Sequence, residues 1–249
     1  MYDYLLSPLF PRLAQNRRVI VLDRLGCGFS RQPDDVTMTL PDQARVVQQL
    51  MSALTIHEPI VVGHSFGSSV ALAHALAYPG AAKGYVLLAP MAFGVQALDA
   101  ATPMIANRQV TSLINRFLIL NGKLHNRRLV RLAFAPNQSC MPDGFAETCL
   151  QFILDPSQSQ ADLRNLLTVN KSLLEMAPRY PEIEQPVVIL TGEKDLVSRA
   201  ETQASPLTKA LQKAELVVLP KTGHMVQFVR PDAVFDAIDH VERVASDQA

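Results

Sequence analysis

The chain has 249 residues, 48% of them hydrophobic and 18% charged, and its 23 basic residues are balanced by 23 acidic ones. That is enough apolar material for one large domain with a buried core, with or without an inserted segment. The even charge balance, without a basic stripe or run, excludes the electrostatic footprint of a nucleic-acid or anionic-membrane binder. The tightest basic groups, Arg17-Arg18 and Arg127-Arg128 with Arg131, read as solvated faces. Cys27, Cys140 and Cys149 lack the pairing and spacing of a zinc site or a disulfide framework. No metal is therefore expected, and reduced thiols in a cytoplasmic protein are. Met1-Tyr2-Asp3-Tyr4 has no basic region ahead of an apolar run, so no signal peptide is expected. No stretch of about 20 apolar residues is present to span a bilayer.

In chain order, a helical pattern over Leu5–Gln15 precedes an apolar run, Arg18–Asp23, read as the first strand. A glycine-punctuated exit follows, with Asp23 or Ser30 expected to cap local N–H groups. A helix is predicted over Leu40–Leu54, then a strand at Ile60–Gly63, a helix over Ser68–Tyr78 and a strand at Tyr85–Leu88. Further on come a strand at Val187–Leu190, a helix over Glu201–Gln212, a strand at Leu216–Leu219 and a closing helix over Pro231–Ala245. The last has apolar residues at Ala233, Val234, Ala237, Ile238 and Val241, which is helical spacing. Each of the five strand candidates is a continuous apolar run, as expected where both faces of a sheet are covered. The fold class is therefore α/β, a mostly parallel sheet flanked by helices.

The alternation breaks between Ala92 and Pro181. Helical patterns there involve Leu113, Phe117, Leu118 and Leu120, then Leu129–Phe134, Phe145–Leu154 and Leu163–Ala177, punctuated by Pro136, Pro142 and Pro156. The stretch is too long for an ordinary connection. It reads as an inserted helical cap, 92–181, on a core formed by residues 1–91 and 182–249. Its Leu, Phe, Ile and Met content favours a small or medium apolar substrate group.

The sharpest chemical signal is Gly63-His64-Ser65-Phe66-Gly67, placed between an apolar strand and a helix. A sharp strand-to-helix reversal puts Ser65 at a strained apex. Small residues at Gly63 and Gly67 would let strand and helix approach. The helix N-terminus behind Ser65 offers unpaired N–H groups and a partial positive charge, and the Phe66 N–H is a candidate oxyanion donor. A serine hydroxyl needs a base. Of the six histidines, His64 adjoins the serine, with its side chain expected to point away from it; His57, His74, His125 and His240 fall in or beside helices or in the cap. His224 follows the last strand, at the carboxyl edge where loops of a parallel sheet gather. The base in turn needs an anionic partner. Asp195, in Thr191-Gly192-Glu193-Lys194-Asp195 after the fourth strand candidate, is preferred over Glu193 and, more distantly, Asp99. The order Ser…Asp…His matches that of this triad on such a fold.

With these motifs and Asp23-Arg24-Leu25-Gly26-Cys27-Gly28-Phe29-Ser30, the chain resembles the α/β-hydrolases over nearly its whole length. The resemblance implies Ser65 as nucleophile, His224 as base and Asp195 as its orienting acid, a small-molecule substrate and no cofactor. Ester hydrolysis is the expected reaction. Carbon–carbon bond hydrolases and cofactor-free haloperoxidases share the same triad and stay open, as do a non-catalytic ligand-binding protein and an inactive truncated hydrolase. Related epoxide hydrolases and haloalkane dehalogenases carry an Asp nucleophile, against Ser65; proline iminopeptidases usually carry a different elbow, against His64 and the absence of Trp. The family usually has strands and a His-Gly-rich loop ahead of the helix at Leu5–Gln15, and the sequence as given begins with that helix. One strand would then be missing between Arg18–Asp23 and Ile60–Gly63, leaving a gap or forcing those two to pair. With one oxyanion donor missing, a loss of about 10²–10³ in kcat is expected, together with poor stability.

Overall fold

The computed structural model describes residues 7–33, 36–94, 128 and 130–247. After a short helix, α1 (Leu9–Leu13), come α2 (Leu40–Ala53), β1 (Ile60–His64), α3 (Phe66–Ala77) and β2 (Gly84–Leu88). Then follow α4 (Phe145–Ile153), α5 (Pro156–Met176), β3 (Val187–Gly192), α6 (Ala204–Ala210), β4 (Ala214–Leu219), α7 (Val226–Val229) and α8 (Pro231–Ser246). The four strands form one sheet in the order β1-β2-β3-β4, every pair parallel. The registers Val61↔Tyr85, Tyr85↔Val187 and Val187↔Ala214 bring all four carboxyl ends to the same edge.

Alternation along the central strands separates two cores. Tyr85 and Leu87 of β2 and Val187 and Ile189 of β3 pack among α2, α3, α5 and α6. Val86, Leu88, Val188 and Leu190 point to the other face, onto α1 and α8. Period-two geometry sends neighbouring side chains to opposite faces, and with helices on both faces all of β2 and β3 is buried. The helix α2 is closed by a capping box: Thr39 accepts from the Asp42 N–H, and the Asp42 carboxylate accepts from the Thr39 N–H.

Arg18–Asp23 departs from expectation. It is no strand, because among the described residues no strand pairs with it. A slot of about 580 Å³ lies between Val19–Leu22 and Ile60–Val62, and β1 is the edge of the four-stranded sheet. Ile60, Val61 and Val62 stay partly exposed while β2 does not. Arg17 is not a solvated residue either: its guanidinium reaches Asp239 at 2.5 Å and Glu242 at 2.8 Å on α8. The first helix is shorter than predicted over its described part, ending at Leu13.

The predicted helix around Leu113–Leu120, residue 129 and Arg127 lie outside the described residues. Within the described part of 92–181, α4 and α5 form where helices were predicted, although α5 starts at Pro156, seven residues earlier than the Leu163 expected. Asp155 explains the start, since its side chain accepts from the N–H groups of Ser157 and Gln158. Val169, Leu173 and Met176 of α5 are buried in the core below the sheet's first face. Leu173→Ala should therefore lower stability by about 2–5 kcal/mol, through lost burial and the cavity left behind, read as a shift in the urea midpoint.

Candidate active site

At the end of β1 the chain turns through Ser65 with φ 52° and ψ −119°, and α3 starts at the next residue. A β-carbon on Gly63 would stand 2.6 Å from the Gly67 carbonyl oxygen and 2.8 Å from Ser68 Cα, so the tight reversal demands glycine there. Gly67 differs from expectation: nothing lies within 4 Å of where its β-carbon would be. The Ser65 N–H donates to the Leu88 carbonyl at 2.9 Å, anchoring the turn to β2. Phe66 occupies the first helical position, where an N–H has no intrahelical acceptor. Ser65 and Phe66 line a cavity of about 500 Å³ together with Leu22, Arg24, Phe29 and Phe152.

The loop after β3 presents Asp195. One carboxylate oxygen accepts from the Val197 and Ser198 N–H groups, each at 2.8 Å, and the other accepts from His224 Nδ1 at 2.8 Å. The Asp195 side chain is fully buried and that of His224 nearly so. With Nδ1 committed to the carboxylate, the lone pair of His224 is on Nε2, as a general base requires. The Ser65 hydroxyl makes no hydrogen bond among the described residues. His224 does meet the elbow through its neighbour: its carbonyl oxygen lies 3.0 Å from His64 Nε2, and the two imidazoles are 4.7 Å apart.

The loops that carry Asp195 and His224 are tied to one another. The segment Thr222–Gly223 passes so close over Gly192 that any β-carbon there would overlap the carbonyl oxygens of both residues. The Lys194 N–H donates to the Thr222 carbonyl at 2.8 Å. Glu193 is exposed and takes the Lys221 N–H at 3.0 Å. That hydrogen bond, followed by Lys194, holds its pKa below the usual glutamate range. Glu193 thus links the two loops, while the carboxylate that His224 Nδ1 meets is that of Asp195. Asp99 lies outside the described residues. The loop after β2 joins the same assembly, since Ser198 Oγ donates to the Pro90 carbonyl and Met91 N–H to the Ser65 carbonyl.

Two contributors escaped the sequence reading. Asn137, within the stretch read as a cap, accepts the Gly223 N–H at 3.0 Å and donates to the Lys221 carbonyl at 3.0 Å, bracing the turn before His224. No local pattern marks it. His64 was expected to point its side chain away from Ser65, and nothing in the sequence showed that its ring would lie against His224. Cys27 faces the same cavity as Ser65, but burial pushes its thiol up to about 12, so it stays protonated. Among the described residues no cluster of His, Cys, Asp or Glu could hold a metal ion, and no helix is long and apolar enough to cross a membrane.

The family described as alpha/beta hydrolase fold matches residues 3–231. The chain therefore belongs to the α/β-hydrolases, and it is an enzyme of the hydrolase class. It is 29% identical to a 2-hydroxymuconate semialdehyde hydrolase of Pseudomonas putida over 94% of this chain and 76% of that protein. Among solved structures, it is similar to a 2-hydroxy-6-oxo-6-phenylhexa-2,4-dienoate hydrolase from Rhodococcus sp. strain RHA1. The TM-score is 0.74, with 20% identity over 95% of this chain and 83% of that one. A thermophilic esterase from Thermogutta terrifontis gives a TM-score of 0.69 and 21% identity, covering 95% and 84% of the two chains.

The asymmetry at the elbow is measurable. Gly63→Ala should cost about 1–3 kcal/mol by overpacking. Gly67→Ala, in open space on a helix, should be neutral or stabilising by up to about 1 kcal/mol. Urea midpoints of the two variants compare them directly.

Proposed function

We propose that the chain is a serine hydrolase working through an acyl-enzyme, with Ser65 as nucleophile, His224 as general base and Asp195 as the carboxylate that orients it. The observation that carries this reading is the buried 2.8 Å contact between Asp195 and His224 Nδ1, held at the carboxyl edge of the sheet that also bears the strained Ser65. His224 Nε2 removes the hydroxyl proton as Ser65 Oγ adds to a substrate carbonyl. The oxyanion is received by the Phe66 N–H at the positive end of α3. The imidazolium, balanced by Asp195, returns the proton to the leaving group. Water then repeats the sequence on the acyl-enzyme, with His224 again as base. Cys149 and Phe152 of α4 line the cavity that holds Ser65, which supports reading residues 92–181 as the cap.

The substrate favoured by the largely apolar cavity wall is a small or medium carboxylic ester. A second reading, cleavage of a carbon–carbon bond next to a carbonyl, is favoured by the names of the similar Pseudomonas and Rhodococcus hydrolases. It uses the same steps, with the imidazolium proton delivered to carbon instead of oxygen.

Turnover of p-nitrophenyl acetate, p-nitrophenyl butyrate and 2-hydroxymuconate semialdehyde by the full chain and by Ser65→Ala tests both readings. Ester turnover that falls to background in Ser65→Ala is expected. Semialdehyde cleavage with the esters untouched would replace the ester by the carbon–carbon reading. Equal rates in the wild type and Ser65→Ala would overturn both.

A further inference from the structure

His64 adjoins Ser65 in the chain and lies against His224, and its contacts are specific. It is the last residue of β1, paired in register with Leu88 of β2 and followed at once by Ser65. Its Nε2 stands 3.0 Å from the backbone carbonyl oxygen of His224. A carbonyl can only accept, so Nε2 carries the hydrogen and the ring is held as the Nε2–H tautomer. This is the described hydrogen bond that runs from the rigid elbow strand to the residue bearing the base. The ties on this turn from Asn137, Glu193 and Lys194 reach Lys221, Thr222 and Gly223 and stop one residue short, and the other bond to the His224 carbonyl is a local one, from the Val226 N–H at 3.0 Å.

We propose that His64 is a positioning residue, which fixes the backbone of His224 relative to Ser65 and leaves its own ring uncharged beside the base. The proposal rests on the reading of Ser65 and His224 as nucleophile and base. The groups facing the His64 ring that carry or gain charge are His224 and Asp195. Burial, reinforced by His224, pushes the His64 pKa down to about 3. At neutral pH its ring therefore adds no positive charge 4.7 Å from the imidazole that must become imidazolium during catalysis. A second imidazolium at that distance would oppose the proton transfer. A neutral donor supplies the backbone anchor without that penalty. Because the anchor acts on orientation, its loss should be felt in the chemical step more than in substrate binding.

The test compares His64→Leu, which removes the donor, with His64→Gln, whose amide nitrogen can occupy the Nε2 position. For the ester or semialdehyde that the wild type turns over, kcat should fall by up to about 10²-fold in His64→Leu, with KM little changed, and should recover in His64→Gln. A role confined to folding would lower the melting temperature of His64→Leu and leave kcat intact well below that temperature, and this result would overturn the proposal. Equal losses of kcat in His64→Leu and His64→Gln would overturn it too. Proton NMR of the His224 Nδ1–H signal decides the matter without turnover. The signal should be sharp in the wild type and in His64→Gln, and broadened or lost in His64→Leu; a sharp, unshifted signal in His64→Leu overturns the proposal. If Ser65→Ala turns over substrate like the wild type, the catalytic reading falls by itself, and the NMR comparison still judges the anchor.

Discussion

The site depends on one crossing: Thr222–Gly223 runs over the end of β3 in direct contact with Gly192. His224 follows β4, yet it meets His64 at the end of β1. The two strands are three sheet positions apart, about 14 Å at ordinary strand spacing. The loop after β4 therefore has to travel back across β3 and β2, pressed to the strand ends. A side chain at position 192 would lift it, and with it the contact to Asp195. Hydrogen bonds from Lys194 to Thr222, from Lys221 to Glu193 and from Gly223 to Asn137 keep the crossing loop down.

The sheet supplies the rigidity that such a path needs. β2 and β3 are buried along their whole length and hold the loops that follow them at fixed spacing. Positive-φ backbone recurs around the sheet, at Thr55, Glu58 and Lys221, and two more such residues stand where the loops of the site begin. Ser65 and Ala89 both take positive φ, at 52° and 43°, just past the ends of β1 and β2. Backbones of that kind cost of order 1–3 kcal/mol each and persist only where their surroundings over-determine them. Here Ser65 is held by its bond to Leu88 and Ala89 by its bond to Leu190, so each strained residue hangs from the neighbouring strand. The result is an apex serine and a buried Asp195–His224 pair whose backbones belong to one network.

Much of this was legible in the sequence. Tyr85–Leu88 and Val187–Leu190 are apolar runs that stand out because strands covered on both faces tolerate little else; Ile60–Gly63 and Leu216–Leu219 have the same composition, although β1 stays partly exposed and Val217 and Val218 of β4 are exposed. The glycine–serine turn was legible because only glycine at position 63 survives the approach of Gly67. Asp195 and His224 could be chosen because the order of strands and loops puts them at one edge. Arg18–Asp23 has the same apolar composition as the true strands and was misread, since pairing is a property of the neighbour and not of the segment. Asn137 acts through two long-range hydrogen bonds to backbone, 86 and 84 residues away, and His64 through one, 160 residues away, and these leave no periodicity to read. Gly67 looked like a packing requirement and has space around it.

Whether His224 and Asp195 make Ser65 nucleophilic is open to one direct measurement. The direct measurement is labelling of the full chain by a fluorophosphonate, with the modified residue located by mass spectrometry. A single modified residue, Ser65, is expected, with labelling abolished in Ser65→Ala and strongly slowed in His224→Ala and Asp195→Asn. Labelling that persists in Ser65→Ala, or that proceeds at the wild-type rate in His224→Ala, would contradict it.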